Sequence, residues 1–136
     1  MAKKGTVITN GIILQTHEQA TVQLLTNNGY DIVLIKPSTI QGAKTADMFI
    51  DGIPWEMKSP AGKGKWTIKN IIQKASHQCE NIIIDLRRLN RFPQKKYVEE
   101  VKMRFELMNR QTAIHYILYD DHVAVLHYLL KGHDKL

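Results

Sequence analysis

Apolar and polar positions along the chain follow two different periods, and each change of period marks an element. Over residues 16–28, Val22, Leu24 and Leu25 follow a polar His17-Glu18-Gln19 opening, with Thr16 placed to cap the start and Gly29 to stop the end. That pattern predicts a first helix. Residues 31–36 form a short β-branched run closed by Pro37-Ser38, which predicts a strand buried on both sides. After a polar stretch over 38–45, the strand-like runs 46–50 and 53–58 flank Asp51-Gly52, a pair that favours the tight turn of a hairpin.

Residues 59–65 read as a basic loop that lacks the spacing of a phosphate-binding glycine loop. Ile68, Ile71, Ile72, Ala75 and Cys79 then recur at helical spacing, predicting a second helix over 66–79. Residues 81–86 are an apolar strand. Pro93 followed by Tyr97, Val98, Val101, Phe105 and Met108 announces a third helix, and 112–119 and 122–129 read as two strands turning at Asp120-Asp121. The order α-β-β-β-α-β-α-β-β predicts an α/β protein of the mixed α+β kind, a central mixed β-sheet flanked by helices, with residues 1–136 as a single domain.

Composition narrows the function. A chain of 136 residues with 43% hydrophobic content can bury a core without disulfides, and its one cysteine, Cys79, rules out an internal bridge or a Cys-rich zinc site. No apolar run approaches the length of a membrane span, and Met1-Ala2-Lys3-Lys4 is not followed by the apolar stretch of a signal peptide. The formal charge of +6 favours a polyanionic partner such as nucleic acid. Lys63, Lys65 and Trp66 in the basic loop are placed to grip a phosphate backbone and stack a base. Arg87-Arg88, Arg91 and Lys95-Lys96 form a second basic cluster, and either cluster would also serve simply as solvated surface.

The predicted hairpin carries the most specific chemistry. Pairing across Asp51-Gly52 brings Asp47 and Glu56 to the same end, and period-two alternation puts Lys58 on the face of Glu56 with Met57 on the other. Two carboxylates beside an ammonium suit phosphodiester hydrolysis, in which a hard divalent cation takes oxygen ligands and a nearby positive charge stabilises the phosphate. The Glu-x-Lys triplet alone carries no weight. With 6 Glu and 14 Lys, chance gives about 0.6 copies, and Glu100-Val101-Lys102 is a second one, in a helix where residues two apart do not face each other. The bland alternative is a cross-strand ion pair on an exposed face.

Ala46-Asp47 followed by Glu56-Met57-Lys58, between a helix opening with His17-Glu18 and a helix leading through His77-Gln78 into Asn81-Ile82-Ile83-Ile84-Asp85, resembles the PD-(D/E)-x-K, restriction-endonuclease-like nucleases. Within that superfamily the chain looks most like the C-terminal nuclease toxin domains of contact-dependent growth inhibition proteins, several of which cleave transfer RNA. The resemblance covers roughly residues 16–90.

It implies Asp47 and Glu56 as metal ligands, the Met57 carbonyl as a backbone ligand, Lys58 as the catalytic lysine and Glu18 as an additional ligand. Ala46 departs from the motif's proline. The implied cofactor is Mg²⁺ or Mn²⁺, with Zn²⁺ as a stand-in in a crystal. Relatives also place a glutamine or lysine of the second helix beside the substrate, which nominates Lys69, Gln73 and Gln78 alongside Lys63, Lys65 and Trp66 for nucleic-acid binding. The expected activity is that of an endonuclease on tRNA or DNA. It would act in the cytoplasm of a target cell after delivery as part of a larger secreted protein, and be held in check by a cognate immunity protein. The alternatives are a repair or recombination nuclease of the resolvase kind and a non-catalytic nucleic-acid-binding module.

Overall fold

A computed structural model of the chain describes residues 3–37, 46–62, 67–108 and 114–127. Seven strands lie in sequence order across one mixed sheet: β1 (Val7–Ile8), β2 (Ile32–Leu34), β3 (Met48–Ile50), β4 (Ile53–Lys58), β5 (Ile82–Asp85), β6 (Ile114–Tyr119) and β7 (His122–His127). Helices α1 (Thr16–Asn27), α2 (Thr67–Gln78) and α3 (Gln94–Met108) form the crossovers from β1 to β2, β4 to β5 and β5 to β6, each joining a parallel pair. The remaining pairs are antiparallel. The expected mixed sheet with flanking helices is therefore present, and its order gains a strand at the front, β-α-β-β-β-α-β-α-β-β. Among the described residues no helix is long and apolar enough to cross a membrane.

The added strand, β1, is two residues long and exists through its parallel pairing of Val7 with Ile32 and Ile8 with Val33. Gly5 just before it lies against the α1–β2 turn, its N–H donating to the Thr26 carbonyl at 2.8 Å. A Cβ at position 5 would overlap the Tyr30 carbonyl. Gly5→Ala is accordingly expected to lower stability by about 1–3 kcal/mol, readable as a lower urea midpoint at unchanged slope; an unchanged midpoint would show that β1 contributes nothing to holding the sheet edge.

Helix α1 starts one residue earlier than the sequence suggests. Gln15, not Thr16, occupies the capping position, and its N–H donates to the Glu18 carboxylate at 2.9 Å, the reach-back half of a capping box. The helix ends as expected. Gly29 adopts φ +92°, and N–H groups of Gly29 and Tyr30 return to the Thr26 and Leu25 carbonyls in the Schellman arrangement. Asp51 and Gly52 both take positive φ, 52° and 78°, giving the type I′ turn that matches the twist of the flanking strands.

Two apolar cores lie on opposite faces of the sheet. Val22 and Leu25 of α1 pack with Ile32, Leu34, Met48, Ile50, Trp55, Met57, Ile83 and Tyr116, and Trp55 stacks on Tyr116 at 4.2 Å between centroids. Ile68, Ile72 and Ala75 of α2 and Val98, Val101 and Phe105 of α3 cover Ile82, Ile84 and Ile117. Strand β5 is buried at all four positions because it sends Ile83 to one core and Ile82 and Ile84 to the other.

Candidate active site

The geometry of the site follows from one strand changing partners. The first half of β4, Ile53 to Trp55, pairs with β3, and the second half, Glu56 to Lys58, pairs with β5. The sheet thus forks at Glu56. Asp47 sits just before β3 rather than within it, and its N–H donates to the Trp55 carbonyl at 2.9 Å, one step out of the ladder that pairs Met48 with Trp55. With its backbone bonded to Trp55 on one side and Ile35 on the other, Asp47 sends its side chain into the fork, where its Oδ2 accepts the Met57 N–H at 2.8 Å. The neighbouring Glu56 N–H goes the other way, to the Asn81 carbonyl at 3.0 Å. Backbone groups alternate sides along a strand, so the Met57 carbonyl faces the same gap as its N–H, toward Asp47.

Glu56 is 5% exposed, a burial that a carboxylate tolerates only with partners. Lys58 supplies one, its Nζ 3.2 Å from Glu56 Oε2, with its own side chain one-third exposed. The expected same-face placement of Glu56 and Lys58 therefore holds. Burial, and next the charge of Asp47 beside it, push the Glu56 carboxyl up to about 7 from an ordinary 4.5, and the Lys58 contact offsets only part of this. A shared site for two carboxylates raises the affinity of one for a proton, and by the same physics for a metal cation. Asp47, Glu56 and the Met57 carbonyl make an all-oxygen donor set fit for a hard divalent ion.

A cavity of about 260 Å³ adjoins this pair on the side of Lys58, lined by His17, Glu18, Met57, Lys58, Ser59 and Ile71. Glu18 shares a wall with Met57 and Lys58 there while also capping α1. Among the described residues, no group of three or more His, Cys, Asp or Glu comes together with ligand spacing, so Asp47 and Glu56 stand as a pair. Sequence reasoning missed Ser59. Its Oγ is buried and has no hydrogen-bond partner among the described residues, and the residue lies next to Lys58 in the same cavity. Its position directly after Glu-x-Lys was the only available signal.

The residues nominated on α2 are dispersed. Lys69 and Gln73 line a cavity of about 220 Å³ shared with Arg104, Leu107 and Met108 of α3, Gln78 is exposed at the helix end, and the α2 side chain facing Lys58 is Ile71. Lys63, Lys65 and Trp66 lie outside the described residues.

Two members of the second basic cluster are committed internally. Arg87 clasps buried Asp85, with Nε at 2.9 Å and a terminal nitrogen at 2.7 Å, and Arg88 donates to the Ser59 carbonyl at 2.9 Å. Asp85 also accepts from Thr21 Oγ1 at 2.6 Å, which ties α1 to the end of β5.

A search of curated proteins yields no match. Among solved structures, the chain is similar to one described as the CdiA-CT/CdiI toxin and immunity complex from Burkholderia pseudomallei. The TM-score is 0.62 at 17% identity, with 90% of this chain and 99% of that chain covered. At that identity the likeness is one of fold. A family profile, described as the contact-dependent growth inhibition CdiA C-terminal domain, matches residues 44–118, a stretch that contains Asp47, Glu56 and Lys58 and leaves Glu18 outside. That match spans more than half of the 136 residues, and the chain belongs to the CdiA C-terminal domain family of contact-dependent growth inhibition.

Proposed function

We propose that this chain is a divalent-cation-dependent endonuclease of the PD-(D/E)-x-K kind, acting as the toxin in contact-dependent growth inhibition. The observation that carries the reading is the pairing of Asp47 with the buried Glu56, with Lys58 at 3.2 Å from Glu56, set where β4 leaves one neighbour for another. A site meant only to hold a polyanion gains nothing from two adjacent carboxylates, which repel phosphate.

Asp47, Glu56 and the Met57 carbonyl would hold Mg²⁺ or Mn²⁺, which supplies Lewis-acid polarisation of the phosphate and a bound water of lowered pKa. The chain's own residues do the rest. Asp47, anchored by the Met57 N–H, fixes the geometry of the carboxylate pair. The Lys58 ammonium, held at the site by Glu56, would offer its charge to the phosphate oxygens as the new P–O bond forms and the old one breaks. Ser59 lines the cavity beside Lys58, and its buried hydroxyl, without a hydrogen-bond partner among the described residues, would turn to bond a phosphate oxygen or the water.

The favoured substrate is RNA, tRNA in particular, with DNA as the alternative, and the net charge of +6 suits either. The biological setting would be delivery into a target cell from a larger secreted protein, with neutralisation by a cognate immunity protein, the arrangement that the similar Burkholderia complex bears in its description. Incubating the purified chain with labelled tRNA and labelled duplex DNA, with Mg²⁺ and with EDTA, tests the core of the reading. Cleavage of either that disappears in EDTA is the expected result, and intact substrates under both conditions would sink it. Mg²⁺ at a hundredfold its dissociation constant should also stabilise the folded chain by about 2.7 kcal/mol, an increment that Asp47→Ala should remove.

A further inference from the structure

The parallel strands β4, β5 and β6 all end at one edge of the sheet, and Lys58 is the last residue of the first of them. In such sheets ligands sit outside the carboxyl ends of the strands. Beyond the ends of β5 and β6 lies an open groove of about 700 Å³ that the chemistry above does not use, walled by Arg87, Asn90, Phe92, Gln94, Lys95 and Asp120. The loop that walls it also touches the site: its Arg88 holds the carbonyl of Ser59, the residue after Lys58, at 2.9 Å.

The groove's loop is tied by its own hydrogen bonds, and an aromatic ring stands on its rim. The Gln94 side-chain amide donates to the Leu86 and Leu89 carbonyls at 3.1 and 2.6 Å, and the Phe92 N–H donates to the Tyr97 hydroxyl at 3.1 Å, so the loop is held before anything binds. Phe92 nonetheless remains 41% exposed. Around it are cations, with the Lys96 ammonium 3.9 Å and the Arg91 guanidinium 5.5 Å from the ring centroid, and Lys95 exposed in the groove wall. The first turn of α3, which opens at Gln94 in the same wall, carries no acidic residue. Among the described residues Asp120 is the one carboxylate lining the groove, and Arg87 is already neutralised by Asp85.

An exposed ring set among positive charges matches the two chemistries that every unpaired nucleotide presents, a π face and a phosphate. A duplex presents the phosphates but keeps its base faces stacked inside. Resting on the nuclease reading above, we infer that this groove holds an unpaired strand of nucleic acid next to the cleavage site, with Phe92 stacking a base and Arg91, Lys95 and Lys96 contacting phosphates.

The test is fluorescence anisotropy of the full chain in EDTA with labelled twelve-nucleotide oligouridylate, oligothymidylate and a duplex of the same length, so that binding is read without turnover. Phe92→Leu should weaken binding of both single strands about tenfold and leave the duplex unchanged, and Phe92→Trp should restore it to within about twofold. Arg91→Ala with Lys95→Ala should flatten the salt dependence of single-strand binding by about 1–1.5 in the log–log slope. All of these side chains are exposed, so unchanged melting temperatures are the control on folding. Single strands bound equally well by Phe92→Leu and by wild type would overturn the inference, as would equal losses on single strands and duplex. Neither outcome bears on whether the wild type cleaves with Mg²⁺, so a failure here and a failure of the nuclease reading are read in separate experiments.

Discussion

Glu56→Gln is expected to lower nucleic-acid cleavage by a factor of about 10³ or more and, at the same time, to make the metal-free protein more stable at pH 8. The first effect follows from removing a charged donor from a set that, among the described residues, holds two carboxylates. The second follows from where Glu56 sits. Its carboxyl titrates near 7 in the folded chain because burial and Asp47 oppose its charge, and near 4.5 when the chain is unfolded. Between those values the folded state binds more protons than the unfolded one, so stability falls as pH rises. The favourable contribution is complete below about pH 4.5 and lost once the pH has passed about 7.

Glutamine is neutral throughout and fills the same space. The variant should match wild type near pH 4 and exceed it by about 3 kcal/mol at pH 8. Lys58, left without its partner, is exposed enough to be solvated. Urea unfolding in EDTA from pH 4 to pH 8 measures this. A wild-type curve that is flat across that range, or a variant no more stable at pH 8, would refute the account of the site as two carboxylates in conflict. The combination of less activity and more stability is what distinguishes a functional buried charge from a structural one.

The second large effect is purely structural. Asp85→Ala is expected to cost about 3–5 kcal/mol. Asp85 is 2% exposed and accepts four hydrogen bonds, from Thr21 Oγ1, from the Arg87 backbone N–H and from two Arg87 guanidinium nitrogens. Without it the guanidinium keeps one described partner, the Ala20 carbonyl at 2.8 Å, and a cation is left beside an apolar layer. The damage extends to the site, because the same contacts hold α1 against β5, and α1 carries His17 and Glu18 into the cavity beside Lys58. Guanidinium or urea denaturation reads the loss directly. Combining Asp85→Ala with Arg87→Met should recover part of it, since the remaining penalty is the unpaired charge rather than the missing contact. A single-variant loss under 1 kcal/mol would mean that the clasp is dispensable.

The two predictions separate residues that look alike in the sequence, one acidic residue in each of two apolar strands. What distinguishes Glu56 from Asp85 is the neighbour each meets in space, a second carboxylate in one case and a bidentate arginine in the other. The same distinction runs through the basic positions. Arg87, Arg88, Arg91, Lys95 and Lys96 form one cluster along the chain, yet the first two are bonded to Asp85 and to the Ser59 carbonyl while the last three stay at the surface, in the groove that Phe92 lines or over its ring. Nothing in a run of like charges says which of them will find an acceptor.

What the sequence by itself determined was the local structure. The Asp51-Gly52 turn, the Gly29 stop, the three amphipathic helices and the β5 run are set by backbone propensity and by spacing within a few residues, and each lies where those forces put it. The hairpin in turn brings Asp47, Glu56 and Lys58 to one end, so the candidate site was legible as a group. The tertiary structure decided the rest. Strand β1 exists only because Ile32 and Val33 offer it an edge 25 residues away. The fork in β4 depends on β5 competing with β3 for the same strand, and that fork is what turns the Asp47 carboxylate toward Met57 and buries Glu56. Pairings of that kind are long-range contests between strands for hydrogen-bond partners, and a single strand's composition carries no record of which neighbour wins.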